Sequence, residues 1–434
     1  MFIICLFSTF VIMSKISNNA NTLLLITSNY PFGTREPYIE TEVNILKNYF
    51  SKIIIISNDT NSTITQPIPN NIEVLRNSFD LNLFEKLISL RYLFSISFYR
   101  ELQIIKKLYK QPLELVQVKT ILVTMQTGLK VSKMIQQLMK KNKIIERNLF
   151  ICSFWNSNMA YGISCFKRKY KHAIGVTRAH RWDIFFEGNR GNYLPMRKPI
   201  FDNLDSIFFS SMEGKSYFSK KLKIENKKLR IGWLGIKKSE FNAIKIKHSP
   251  LEILTCSAMI SRKRNHLLIE ALSEIDGLEI KWSHIGDGPE MESLLSLADK
   301  LLSPKKNIQY SFLGRYSNPE LYSYYRDKPI DVFLNLSTSE GVPMAIVEIM
   351  SFCIPVIATN VGGVSEIVNN HNGVLLSANP STEDIVNALK MISCLNDEEY
   401  SIYKQNAYET WSNRFDAEKT YSKFAMDLLA LQKV

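Results

Sequence analysis

Two carboxylates, Glu340 and Glu348, flank Gly341-Val342-Pro343-Met344-Ala345-Ile346-Val347, directly after a short apolar run (Val332 to Leu336) and a Ser/Thr-rich turn. Gly341 and Pro343 prepare the first turn of a helix, so Glu340 falls in the turn before it and Glu348 about one and a half turns inside. Both can face the crevice above the strand ends, where open α/β sheets bind ligands. A helix N-terminus with free N–H groups attracts phosphate oxygens, and acids beside such an anion need neutral partners. Sugar or ribose hydroxyls fit, because a carboxylate accepts two hydroxyl hydrogen bonds well. The same pattern also suits a helix-start acid favoured by the macrodipole and a solvated Glu348. A second group is Arg262, Lys263 and Arg264, which precede a predicted helix, Leu267 to Ile275. Cations are poorly placed there for the macrodipole, so an anion is expected beside them. A third is His180 at the end of a predicted buried strand, with Arg178 and Arg181 beside it and Asp183 after it. Such a histidine is either a crevice residue or a structural one.

The elements that must position these groups repeat one pattern. Val332 to Leu336, the helix and Pro355 to Ala358, closed by a Gly362-Gly363 turn, form a βαβ unit. Near the start, strand Thr22 to Ser28, a turn carrying Gly33, a helix through Leu46 to Phe50 and strand Lys52 to Ser57 form another. Gly33 either lets backbone approach a ligand or simply makes the turn. Further strands are expected at Leu149 to Trp155, Ala173 to Thr177, Ser206 to Ser211, Leu251 to Ser257, Glu279 to Ile285, Gln309 to Leu313 and Gly373 to Leu376. The polar, basic stretch Ile236 to Pro250 reads as a linker. The fold class is therefore α/β, with two Rossmann-like doubly wound domains, 1–240 and 241–400, and a helical end at 401–434. The Gly-rich segment Glu187 to Pro199 reads as a surface loop or an acceptor face.

At 434 residues the chain exceeds one ordinary core, and 45% hydrophobic content excludes a disordered protein. Six cysteines stand singly, without metal-ligand or disulfide spacing, which suits a reducing compartment and a cytoplasmic protein. Phe2 to Met13 carries no charge and is too short to span a bilayer, so it reads as a surface anchor, a signal segment or a start placed upstream of the true one. The net charge is +13, and Leu81 to Phe150 alone holds 13 Lys/Arg against 4 Asp/Glu. There Leu83, Leu87, Leu90 and Phe94 recur at helical spacing among Lys86, Arg91, Arg100, Lys106 and Lys107. Such a stretch fits either an anionic membrane surface or a solvated helix face. No nucleic-acid motif occurs, so no nucleic-acid partner is expected.

The combination E-G-x-P-x4-E followed by P-V-I-A-T-x-V-G-G resembles the donor-binding signature of the retaining glycosyltransferases of family 4, which have the GT-B fold. The resemblance is strong from about Leu251 to Leu389 and looser before it, where Y-P-F-G-x-x-E-x-x-I-E-x-E is similar to members that build bacterial surface polysaccharides. It implies a cleft between the domains, closed by a C-terminal helix that crosses back to the first. It implies a nucleotide-diphospho-sugar donor, with Glu348 on ribose hydroxyls, Lys263 on the diphosphate and Glu340 on a hydroxyl of the transferred sugar. Backbone N–H groups from Gly341, Val342 and Met344, around Pro343, would hold phosphate or sugar oxygens, and Gly314-Arg315 would lie near the base. R-A-H-x-x-D resembles the segment whose histidine contacts the donor sugar, which assigns His180 that role; Asp183 and Arg178 are acceptor-side candidates. Ala258 stands where the family has a diphosphate-binding Arg, a departure that Arg262 or Arg264 would offset. No Asp-x-Asp occurs, so the expected transfer uses no metal and no cofactor. It would retain anomeric configuration and deliver to a glycan or lipid-linked acceptor. The alternatives are a sugar-nucleotide epimerase of the same architecture and a catalytically weakened assembly partner at the membrane.

Overall fold

The computed structural model describes residues 21–33, 36–63, 66–70, 72–225, 227–238 and 249–432. The apolar run Phe2 to Met13 and most of the expected linker lie outside the described residues. The chain forms two compact units, Met1–Gly235 with Ala417–Val434, and Ile236–Asp416.

In the first unit seven strands are β1 (Thr22–Thr27), β2 (Lys52–Ser57), β3 (Ile72–Arg76), β4 (Leu149–Ser153), β5 (Ile174–Ala179), β6 (Ser206–Phe209) and β7 (Leu229–Ile231). They lie in the order β3-β2-β1-β4-β5-β6-β7, and every pairing is parallel. The central strands are apolar at almost every position because helices cover both sheet faces; β1, β4 and β5 are buried along their whole length. In the second unit the strands are β8 (Leu251–Cys256), β9 (Ile280–Ile285), β10 (Ile308–Phe312), β11 (Val332–Asn335), β12 (Val356–Thr359) and β13 (Gly373–Leu376). Their order is β10-β9-β8-β11-β12-β13, again all parallel. In both sheets the order reverses between the first and fourth strands, β1/β4 and β8/β11. Those reversals open the crevices in which such sheets bind ligands.

Three segments differ from the expectations above. The C-terminal region is two helices, Asp397–Arg414 and Ala417–Leu429. The first belongs to the second unit, where Trp411 is buried and the Tyr400 hydroxyl donates to the Asp331 carbonyl (2.8 Å). The second buries Phe424, Ala425 and Leu428 in the first unit's core. The return therefore falls at Asp416–Ala417 rather than at 401, and the division before the second sheet at Gly235–Ile236 rather than at 240. The Gly-rich loop is not a surface loop throughout, because Tyr193, Leu194, Met196 and Arg197 are all buried.

Candidate functional site

In the second unit the switch point is built from the turn after β8 and the turn after β11. A short 3-10 turn, Ser261–Lys263, precedes the helix Asn265–Ser273, and Lys263 projects toward the opposite turn. Its ammonium meets the Glu340 carboxylate at 2.5 Å. The same Glu340 oxygen accepts the Ser337 hydroxyl at 2.6 Å. Lys263, Glu340 and Ser337 thus form one cluster above the ends of β8 and β11, with the two expected donor-site residues paired to each other. Arg264 is engaged differently from Arg262. Its guanidinium donates to the backbone carbonyls of Leu336 (2.6 Å), Ser337 (3.1 Å) and Ala378 (2.9 Å). It is a brace for the β11 turn, whereas Arg262 is exposed. Arg262 lies over the turn, donating to the Ser339 carbonyl at 3.2 Å.

The helix that follows begins at Met344, with Pro343 in extended conformation before it. Its N-terminus rests on a close backbone approach: the Gly363 N–H donates to the Gly341 carbonyl at 2.9 Å, and a Cβ on Gly363 would lie 2.7 Å from that oxygen. A side chain at 363 would push the turn out of place. Glu348, one turn inside, is half-buried and its carboxylate has no hydrogen-bond partner among the described residues. Burial alone raises its pKa to about 7. A partly desolvated carboxylate without partners is costly, and donated hydroxyl hydrogen bonds would relieve that cost. Gly314 has positive φ and open space around it, and Arg315 beside it is exposed.

Behind the cluster lies a relay that the sequence did not single out. The Trp282 Nε1–H donates to the Thr255 hydroxyl (2.9 Å), which lies 2.8 Å from His284 Nδ1, while His284 Nε2 lies 3.2 Å from the Ser257 carbonyl. Indole can only donate and a carbonyl can only accept, so the chain of bonds is satisfied only with the proton on Nε2. Burial holds the imidazole neutral by pushing its pKa down to about 4. The relay fixes the Ser257 carbonyl at the root of the Lys263 turn. Gly286, at φ 141°, seats the next turn against the same carbonyl, and a Cβ there would lie 1.9 Å from it. The signal for this support was the alternation of Thr255 and Ser257 with Trp282 and His284 on neighbouring strands, which pairing alone brings together.

The first unit has its own strand-end cluster. His180 follows β5 directly, with its Nε2 3.2 Å from the Phe154 carbonyl, its ring stacked on Phe154 (4.9 Å) and edge-on to Trp155 (4.7 Å). Burial, then the nearby Arg178, pushes its pKa down to about 3, so it is a neutral donor. Asp183, expected on the acceptor side, is fully buried and accepts the backbone N–H groups of His180 and Asn156, both at 2.7 Å. Its carboxylate caps a helical turn. Arg178, also expected there, is 1% exposed and pairs with the fully buried Glu42 at 3.0 Å. Its guanidinium lies over Phe424 of the returning helix, 4.2 Å from the ring centroid. It is a fastener between the sheet and the C-terminal helix. A residue given no role above, Glu36, accepts the N–H groups of Asn29 and Tyr30 (both 2.7 Å) and the Trp155 indole N–H (2.5 Å). It shapes the turn after β1, where Gly33 takes positive φ.

Residues 236–410 match the family described as Glycosyl transferases group 1, a stretch that nearly coincides with the second unit. An uncharacterized glycosyltransferase of Methanocaldococcus jannaschii is 32% identical over 168 residues, which is 38% of this chain and 44% of that protein. The putative colanic acid biosynthesis glycosyltransferase WcaL of Escherichia coli is 24% identical over 225 residues, 49% of this chain and 53% of that protein. The chain spans about half the length of the curated relatives it matches. Among solved structures, the lipopolysaccharide outer core galactosyltransferase WaaB in its apo form superposes with a TM-score of 0.66 at 14% identity, covering 94% of this chain and 99% of that one. Anabaena HepE in complex with UDP does so with a TM-score of 0.60 at 17% identity, covering 94% and 100%. These likenesses establish the fold as GT-B, two parallel-sheet Rossmann-like domains.

Proposed function

We propose that this chain is a glycosyltransferase that moves a sugar from a nucleotide-diphospho-sugar to a hydroxyl of a glycan or lipid-linked acceptor in bacterial surface polysaccharide synthesis. The observation that carries the proposal is Glu348, a half-buried carboxylate without a hydrogen-bond partner, one turn inside the helix at the switch point of the second sheet. Ribose hydroxyls fit it. Lys263 and Arg262 then lie where the diphosphate would, and backbone N–H groups from Gly341 to Met344 would take up further oxygens. Ser337 and Lys263 hold Glu340 in one orientation, as a residue accepting a hydroxyl of the transferred sugar must be held. Support for a uridine nucleotide comes from HepE, solved with UDP; support for the polysaccharide context comes from WcaL. The five described cysteines are unbridged, in keeping with a cytoplasmic setting.

In the proposed transfer the bond between the anomeric carbon and the β-phosphate oxygen breaks, and the acceptor oxygen attacks from the same face. The acceptor proton passes to the departing phosphate, so configuration is retained without a covalent nucleophile. Charge that builds on the diphosphate is met by Lys263, Arg262 and the helix N-terminus, a role that needs no divalent metal.

A calorimetric titration with UDP, GDP, ADP and CMP in the presence of a chelator tests the reading. One nucleoside diphosphate should bind the wild type and bind Glu348→Ala more weakly. Binding of none, or equal binding to both proteins, rejects it.

A further inference from the structure

Between β3 and β4 the first unit carries the helix Leu83–Ser89, a 3-10 turn Leu90–Phe94 and the helix Ile96–Lys107. Their inner face is ordinary core, with Phe98 and Ile105 buried. Their outer face is apolar too. Leu83, Phe84, Leu87, Leu90, Phe94 and Ile96 all project into solvent, Phe84 at 70% and Phe94 at 90% exposure, and Tyr99 continues the row. Seven of the fifteen exposed large hydrophobic side chains among the described residues fall within these seventeen positions, so this is a patch and not the usual scatter.

The charge around the patch has one sign. Lys86, Arg91, Arg100, Lys106 and Lys107 are exposed. The acids of the same segment are consumed: Glu85 caps its helix and pairs with Lys130 at 3.0 Å, and Glu101 turns inward to the Tyr193 hydroxyl (2.6 Å) and the Met196 N–H (2.9 Å). Asn82 and Ser95 cap the two helices through their own side chains, so the ridge is folded without a partner. No helix of the described residues is long and apolar enough to cross a membrane.

We propose that this ridge docks the protein on a lipid bilayer bearing anionic headgroups. Leu and Phe side chains enter the acyl boundary while the flanking Lys and Arg stay at headgroup level, the arrangement of an interfacial helix. A protein partner would be expected to answer the cations with acids at fixed positions; a bilayer answers them anywhere along the row, which suits five cations spread over three short elements. The proposal does not depend on the donor site.

Co-sedimentation of the full chain with vesicles of mixed phosphatidylglycerol and phosphatidylcholine, and with phosphatidylcholine alone, tests it. The wild type should partition onto the anionic vesicles, less so as salt rises. Phe84→Glu with Phe94→Glu should lower that partition by about ten-fold or more, and Arg91→Gln with Arg100→Gln should remove the preference for anionic over neutral vesicles. Both variants should keep the wild-type melting temperature and nucleotide binding, since the altered side chains face solvent. Undiminished partition of the Phe variant would overturn the proposal and assign retention to another segment. So would a wild-type dimer that the Phe variant splits while neither protein binds vesicles.

Discussion

The two switch points are built alike and used differently. At the first, between β1 and β4, the strand-end groups answer one another: Glu36 is taken up by three backbone N–H groups and Trp155, Asp183 by His180 and Asn156, and Arg178 by Glu42. At the second, between β8 and β11, Lys263 and Glu340 meet at the surface of the crevice and Glu348 is left without a partner. Paired charges inside a domain hold its shape, whereas a half-buried carboxylate without a hydrogen-bond partner gains most from donated hydrogen bonds. In the reading proposed above, the donor lies on the second unit, and the paired polar groups Asp183, Arg178 and Glu36 hold the first unit's strand ends in place.

Removing one charge from each unit separates the two roles. Arg178→Met strands Glu42 inside the first unit, and we expect a loss of about 3–5 kcal/mol in unfolding free energy, read by denaturant titration, with nucleotide affinity unchanged in the protein that remains folded. A drop in affinity with no loss of stability would return Arg178 to the site. Lys263→Ala should do the opposite, lowering kcat/KM by about 10²–10³-fold through the leaving diphosphate while barely moving the melting temperature. Its loss of affinity should be larger for a nucleoside diphosphate than for the nucleoside, and an equal loss for both would contradict the assignment.

Glu348 offers a finer test, because binding and stability should move in opposite directions. Glu348→Ala should weaken nucleotide binding by about 1–3 kcal/mol, and replacing the nucleotide by its 2′-deoxy form should weaken binding to the wild type but scarcely change binding to that variant. The folded protein holds the Glu348 proton up to about pH 7, whereas the unfolded chain releases it near the ordinary 4.5. Between those values the folded state binds more protons, so this group's contribution to stability falls as pH rises. Glu348→Gln has no such term, and its melting temperature should gain on the wild type from pH 4.5 upward and level off above 7. Asp183, also raised to about 7 by burial, contributes equally to both proteins and cancels in the difference. A constant gap across pH would mean that Glu348 is not desolvated. The smallest effect is expected from Arg262→Ala, since an exposed cation contributes about 1 kcal/mol or less. A loss as large as that of Lys263→Ala would show that Arg262 replaces the absent cation at Ala258 outright.

The sequence by itself determined the repeated strand–turn–helix order, because runs such as Leu23–Ile26 and Ile53–Ile56 are buried on both faces and stay apolar throughout. It also placed Glu340, Gly341, Pro343 and Glu348, since their spacing is local and a helix N-terminus fixes where each points. Lys263 stood out as a cation before a helix, where an anion is expected beside it; the anion it meets in the structure is the Glu340 carboxylate. What the tertiary structure alone decided were roles that depend on partners distant in the chain. Arg178 and Glu42 lie 136 positions apart in sequence and meet only because β5 and the first helix share a core with Phe424. Asp183 looked available because its cap, Asn156, comes from another strand end. The Trp282–Thr255–His284–Ser257 relay exists only once β8 and β9 pair in register, Thr255 beside His284. Spacing along a chain fixes which groups share a turn; burial and partners, which decide whether a charge is spent or available, are set by packing.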